Sequence, residues 1–132
     1  MSLHPVVLYC TALLGGLLFL LGLAVSIERF RSKVGSGPAA EKHALLNRLI
    51  WAHANTAEFA PFLAVLFLYF GWRGPSAPVL GLIVAATVCR CLLVIGLLAW
   101  PSLSRPNPAR FVGALGTYLT GAALCVALVA GL

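Results

Sequence analysis

Leu49 to Trp72 reads LIWAHANTAEFAPFLAVLFLYFGW, 24 residues with a single formal charge, Glu58. That exceeds the roughly 20 apolar residues a helix needs to cross a bilayer. The run does not alternate polar and apolar residues as a membrane barrel strand does. Backbone groups in hydrocarbon must be satisfied within their own segment, and an α-helix does this. The stretch predicts a membrane-spanning helix, one with an unusual polar set in its first half.

The rest of the chain agrees. Pro5 to Ile27 carries no charge, Pro75 to Trp100 carries only Arg90, and Phe111 to Leu132 carries none. The four runs account for 95 of 132 residues. The chain is 61% hydrophobic and holds only 12 charges, nine Lys or Arg and three Glu. Mean hydropathy is +1.02. So few charges cannot cover the surface of a soluble domain, and disorder needs the opposite composition. The net charge of +6 has no soluble face to carry it, so no nucleic-acid partner is expected. The expectation is a single all-α integral membrane domain over residues 1–132, a four-transmembrane-helix bundle with spans near 5–27, 46–71, 76–100 and 110–131.

Residues Met1 to Pro5 lack the Lys or Arg of a signal peptide, so the first run is read as a span. Arg29, Arg31, Lys33, Lys42 and Arg48 lie between spans one and two, and Arg105 and Arg110 lie between three and four. Only Arg73 lies in the second connection. The positive-inside rule places loops 28–45 and 101–109 in the cytoplasm and both termini on the opposite side. Gly35-Ser36-Gly37-Pro38 should break any helix, and Ala39 to Asn47 then reads as a helix running directly into span two. Cys10, Cys89, Cys91 and Cys125 fall inside spans and read as apolar filler, with no metal site expected. Gly15, Gly22 and Ser26 offer a small-residue packing face.

Ionisable residues inside a span are costly and point to function. At 100° per residue, Arg48, Trp51, Asn55, Glu58 and Phe62 share one face of span two, and His53 points away from it. Glu58 and Arg90 sit at similar depth, which predicts a Glu58–Arg90 pair. Arg48 and Arg110 each begin an apolar helix and can point into the bundle. The result is a basic mouth above a buried Asn/Glu/Arg floor, suited to a small ligand with carboxylates at one end.

These residues resemble the membrane-associated proteins in eicosanoid and glutathione metabolism, the MAPEG family. The segment Arg48-Leu-Ile-Trp-Ala-His53-Ala-Asn55-Thr-Ala-Glu58-Phe-Ala-Pro61-Phe62 is similar to the family's span-two signature. Arg29-Phe-Arg31-Ser-Lys33-Val-Gly35 resembles its first-loop motif, Arg90 its span-three arginine, and Pro108-Ala109-Arg110 its Pro-x-Arg at span four. The resemblance implies a homotrimer in membrane lipids, with glutathione as substrate or cofactor at the subunit interface and a small hydrophobic substrate. It implies contact or site-shaping roles for Arg48, Asn55 and Glu58, and for Arg29 and His53 from the neighbouring subunit. It implies Arg110 as the catalytic stabiliser of the glutathione thiolate.

Three departures accompany the likeness. No Tyr follows Arg90 in span three, Phe59 stands where the family often has Tyr, and Trp51 where it often has Arg. Tyr118, two turns into span four, is the candidate replacement. Two functions follow: a glutathione-dependent transferase or peroxidase acting on hydrophobic electrophiles, or a non-enzymatic member binding a lipid or fatty acid. A small exporter is less favoured, because span one carries no acid.

Overall fold

The computed structural model describes residues 2–132. It contains α1 (Pro5–Ser32), α2 (Pro38–Lys42), α3 (Ala44–Arg73), α4 (Ala77–Ala99) and α5 (Pro108–Ala130). The four long helices are each apolar and long enough to cross a membrane. Together they make an all-α, multi-pass integral membrane protein. Many large apolar side chains point outward: Phe19 is 77% exposed and Phe30 87%. In water such side chains would be a liability. In a bilayer an apolar surface of this kind is favourable, while the backbone polar groups stay inside the helices.

The helix starts follow local chemistry. Pro5, Pro38 and Pro108 open α1, α2 and α5, where the missing N–H costs nothing. His4, His43 and Asn107 each accept a backbone N–H as helix caps, from Val6, Leu46 and Arg110 respectively. The expected continuous helix from Ala39 into span two is therefore broken. His43 adopts an extended conformation (φ −86°, ψ 103°) and caps α3 with its own side chain. At the first span, α1 continues past Ile27 to Ser32. This places Arg29 and Arg31 on its last turn, where cations complement the helix dipole. Buried threonines satisfy themselves: Thr56, Thr87 and Thr117 donate to the carbonyls of Ala52, Ile83 and Gly113.

α1 packs chiefly on α3 and α4 on α5, while the backbones of α1 and α5 stay apart. In one half of the bundle all four helices share a core of residues such as Val7, Leu14, Phe67, Phe70, Ile83 and Leu124. In the other half the buried core is Leu21, Ala52, Leu93, Val94 and Leu97, to which α5 adds only the partly buried Ala114. A groove remains there between α3 and α5, with α4 at its back. The first and third connections lie together at this end, because Arg48 reaches the Trp100 carbonyl.

Of the expected small residues on α1 only Gly22 meets another helix, and the closest approaches lie between α4 and α5. A Cβ on Gly113 would meet the Leu93 nitrogen at 2.6 Å, and one on Gly96 would meet the Arg110 nitrogen at 2.6 Å. Gly116 lies against the Cys89 thiol. Small residues allow this close approach between α4 and α5. On α1, Gly22 receives His53, but nothing lies near Gly15, and Ser26 only bonds the Gly22 carbonyl on its own helix. The four cysteines are free, none of them in a disulfide.

Candidate functional site

The face of α3 read from the sequence does line the groove. At the connection end is a cleft of about 460 Å³, with Trp51 and Asn55 from α3, Leu93 and Leu97 from α4, and Arg110, Ala114 and Tyr118 from α5. The segment between α4 and α5 covers it with Leu103, Ser104 and Pro106. Deeper lies an apolar chamber of about 410 Å³, bounded by Glu58, Phe59, Phe62, Leu63, Leu66, Thr117 and Cys125 among others. Tyr118 borders both spaces. Its ring lies 5.6 Å from that of Phe59.

Arg90 is fully buried. Its Nη2 donates to Asn55 Oδ1 at 2.7 Å, and its guanidinium lies 5.2 Å from the centre of the Phe59 ring. The predicted Glu58–Arg90 pair does not form: among the described residues the one contact between an acidic and a basic side chain is His43 with Glu28, at 3.7 Å. Glu58 is instead exposed on the groove. The reason is helical phase. Asn55 lies about 60° round the helix from Glu58, and it is Asn55 that meets Arg90. Phe59 supplies the aromatic face that a desolvated guanidinium favours. The Nε and Nη1 of Arg90 have no partner among the described residues.

Arg48 lines neither space. It donates to the carbonyls of Leu98 at 2.8 Å and Trp100 at 3.1 Å, closing the C-terminal end of α4. Helix-end carbonyls have no intrahelical partner, and a cation there is favourable. Arg110 does enter the groove. It lines the cleft, and its Nη1 donates to the Leu103 carbonyl at 2.8 Å. Its Nε and Nη2 make no hydrogen bond among the described residues.

The remaining candidates lie apart. His53 rests on α1, its Nε2 about 3.1 Å from where a Cβ on Gly22 would sit. This fits its position on the other face of α3. Arg29 borders a separate hollow of about 270 Å³ with Ser36, Gly37, Ala40, Glu41, Asn47, Ile50 and Trp51. Arg31 is exposed on the last turn of α1. Asn55 and Arg110 thus line the cleft, Glu58 lines the chamber and Arg90 lies buried behind Asn55, while Arg29, Arg31, Arg48 and His53 line neither space.

Residues 7–130 match the family model described as the MAPEG family, nearly the whole chain. The chain belongs to the MAPEG family. Membership agrees with the four-helix membrane fold and with a protein of membrane glutathione or eicosanoid metabolism. No curated protein and no solved structure gives a match.

Three parts of this MAPEG site were not read from the sequence. Asn107 is buried at 4% exposure and bonds both α4 and α5. Its signal was present, since Asn before a Pro-initiated helix is a preferred cap. Phe59 was noted only as a departure from Tyr. Leu103 and Ser104 had no signal, because nothing local tells which loop residues fold over a cleft.

Proposed function

We propose that this MAPEG protein is a glutathione-dependent transferase or peroxidase acting on hydrophobic electrophiles drawn from the bilayer. The observation that carries this reading is the position of Arg110. It is a guanidinium with free donors in a largely apolar cleft that also holds Asn55, Ser104 and Asn107, and Tyr118 links that cleft to an apolar chamber. A cysteine thiol with a pKa near roughly 8.5 is mostly protonated at neutral pH, and a neighbouring cation favours the nucleophilic thiolate. In conjugation the thiolate sulfur forms a bond to the electrophilic carbon. The electron pair of the broken bond leaves on the departing group or ring oxygen, which then takes a proton. In the peroxidase form, two thiols reduce one hydroperoxide to an alcohol and water and end as a disulfide.

In this reading Arg110 holds the thiolate, and Asn55 and Glu58 meet polar parts of glutathione inside the groove. Arg90 holds Asn55 in place. Arg29 and His53 complete the site from a neighbouring subunit of a homotrimer, Arg31 adds to its basic rim, and Arg48 shapes it by fixing the end of α4. The basic end faces the cytoplasm. No metal is assigned a role.

The test is a glutathione titration of the detergent-purified protein, followed by thiolate absorbance. Wild type should bind and form thiolate, and Arg110→Ala should lose most of it. A wild type that neither binds glutathione nor forms thiolate defeats the reading. A second reading, a non-enzymatic binder of a lipid or fatty acid, draws on the apolar chamber and on the absence of Tyr between Arg90 and Trp100. It predicts a co-purifying acyl chain and no thiolate.

A further inference from the structure

We propose that Asn107 is the positioning residue that holds Arg110 in the groove. The proposal rests on the role given to Arg110 above. The Asn107 side chain is buried and works in two directions. Its Oδ1 accepts the backbone N–H of Arg110 at 2.9 Å, capping α5. Its Nδ2 donates to the Gly96 carbonyl on α4 at 3.0 Å. A cap needs only the first bond. The second ties the start of α5 sideways to α4.

Gly96 makes the seat for this tie. A Cβ there would lie 2.6 Å from the Arg110 nitrogen, 2.8 Å from Arg110 Cγ and 3.0 Å from Asn107 Oδ1. The backbone and side-chain stem of Arg110 thus lie directly on Gly96, and Asn107 closes the contact. Beyond the stem, the guanidinium is held among the described residues only through Nη1 and the Leu103 carbonyl, so its place in the cleft follows from where α5 begins. Electrostatic stabilisation of a developing anion depends on donors already placed before the charge forms. Losing the tie would free the start of α5 to slide over Gly96, and the guanidinium would move with it.

The variant Asn107→Ser separates capping from tying. Serine caps as well as asparagine, but its hydroxyl is too short to reach Gly96 as well. Asn107→Ala removes both functions. Helix content and melting temperature first establish that each full-length variant is folded in detergent. Hydrogen exchange at the amides of residues 109–113 is then measured without glutathione. Thiolate fraction and glutathione Kd are measured with it.

Asn107→Ser is expected to exchange about three- to tenfold faster than wild type over this turn, the range for one lost net hydrogen bond. Its thiolate fraction should fall by a similar factor, while glutathione Kd stays within about twofold. Exchange and thiolate fraction both equal to wild type overturn the proposal. Faster exchange with an unchanged thiolate fraction also overturns it, since the tie would then be structural only. If wild type forms no thiolate, the glutathione reading fails and the tie is judged on exchange alone.

Discussion

Asn55 and Arg90 join α3 to α4 through a 2.7 Å hydrogen bond inside a membrane-spanning bundle. The arginine is completely buried and shares its face with the ring of Phe59. Asn55→Leu should therefore destabilise the protein by about 2–3 kcal/mol, because it strands a buried charge. Replacing both partners, as Asn55→Leu with Arg90→Met, should recover most of that loss. Denaturant unfolding in micelles of the two single variants and the double variant measures the coupling. Additive losses would show that the bond contributes nothing specific.

Helix closure gives a second expectation. Gly113→Ala places a methyl within 2.8 Å of the Cys89 carbonyl on α4. Overpacking of this kind costs about 1–3 kcal/mol. Gly15→Ala, with nothing within 4 Å, should stay within about 0.5 kcal/mol of wild type. Melting temperatures compared under one detergent condition decide it.

The pH dependence of the proposed chemistry has a definite sign. A guanidinium beside a thiol stabilises the anion and lowers the thiol's pKa. Removing it by Arg110→Ala raises that pKa, so the rising limb of rate against pH moves to higher pH. Arg110→Lys, which keeps the charge without the planar fork, should fall between the two. Initial rates across the pH range test this, and a profile that does not move excludes thiolate stabilisation by Arg110.

The apolar chamber should govern the second substrate and leave the first unaffected. Ala122→Trp, at an exposed position on the chamber wall, fills space below the cleft that holds Arg110. A long-chain electrophile should then show a KM raised about tenfold, the scale of a few methylenes denied burial. Glutathione affinity and the rate with a short electrophile should be unchanged. Equal losses with both electrophiles would mean that the chamber does not hold the acceptor.

Sidedness can be read by labelling. In a cysteine-free background, Ser36→Cys and Ser102→Cys should resist a membrane-impermeant thiol reagent in intact cells, and Ser76→Cys should react. The reverse pattern would invert the assigned orientation, while a split between Ser36 and Ser102 would contradict the arrangement of the helices.

The number of spans was legible in the sequence because a bilayer imposes one simple demand on a segment: about 20 residues of apolar side chain. The groove face of α3 was legible as well. Trp51, Asn55, Glu58 and Phe62 recur at helical spacing, and periodicity needs no knowledge of neighbours. Arg110 could be marked from its place at the start of an apolar helix. Partnership was another matter. Depth matched Glu58 with Arg90, but depth is one coordinate, and the rotation of α3 about its axis gave the bond to Asn55. Arg48 was read as facing the bundle, yet it closes the end of α4. That carbonyl cluster exists only once α3 and α4 are side by side.

By itself, the sequence determined an all-helical membrane protein with four spans and a polar face on the second. Hydrophobic length and periodicity are properties of single segments, and the bilayer reads them one at a time. Tertiary structure alone decided that α3 and α5 part around a groove, that Gly96, Gly113 and Gly116 are where α4 and α5 close, and that Asn107 ties them. Those outcomes depend on side-chain volume and hydrogen-bond geometry between helices far apart in the chain, and no local pattern encodes which surfaces meet.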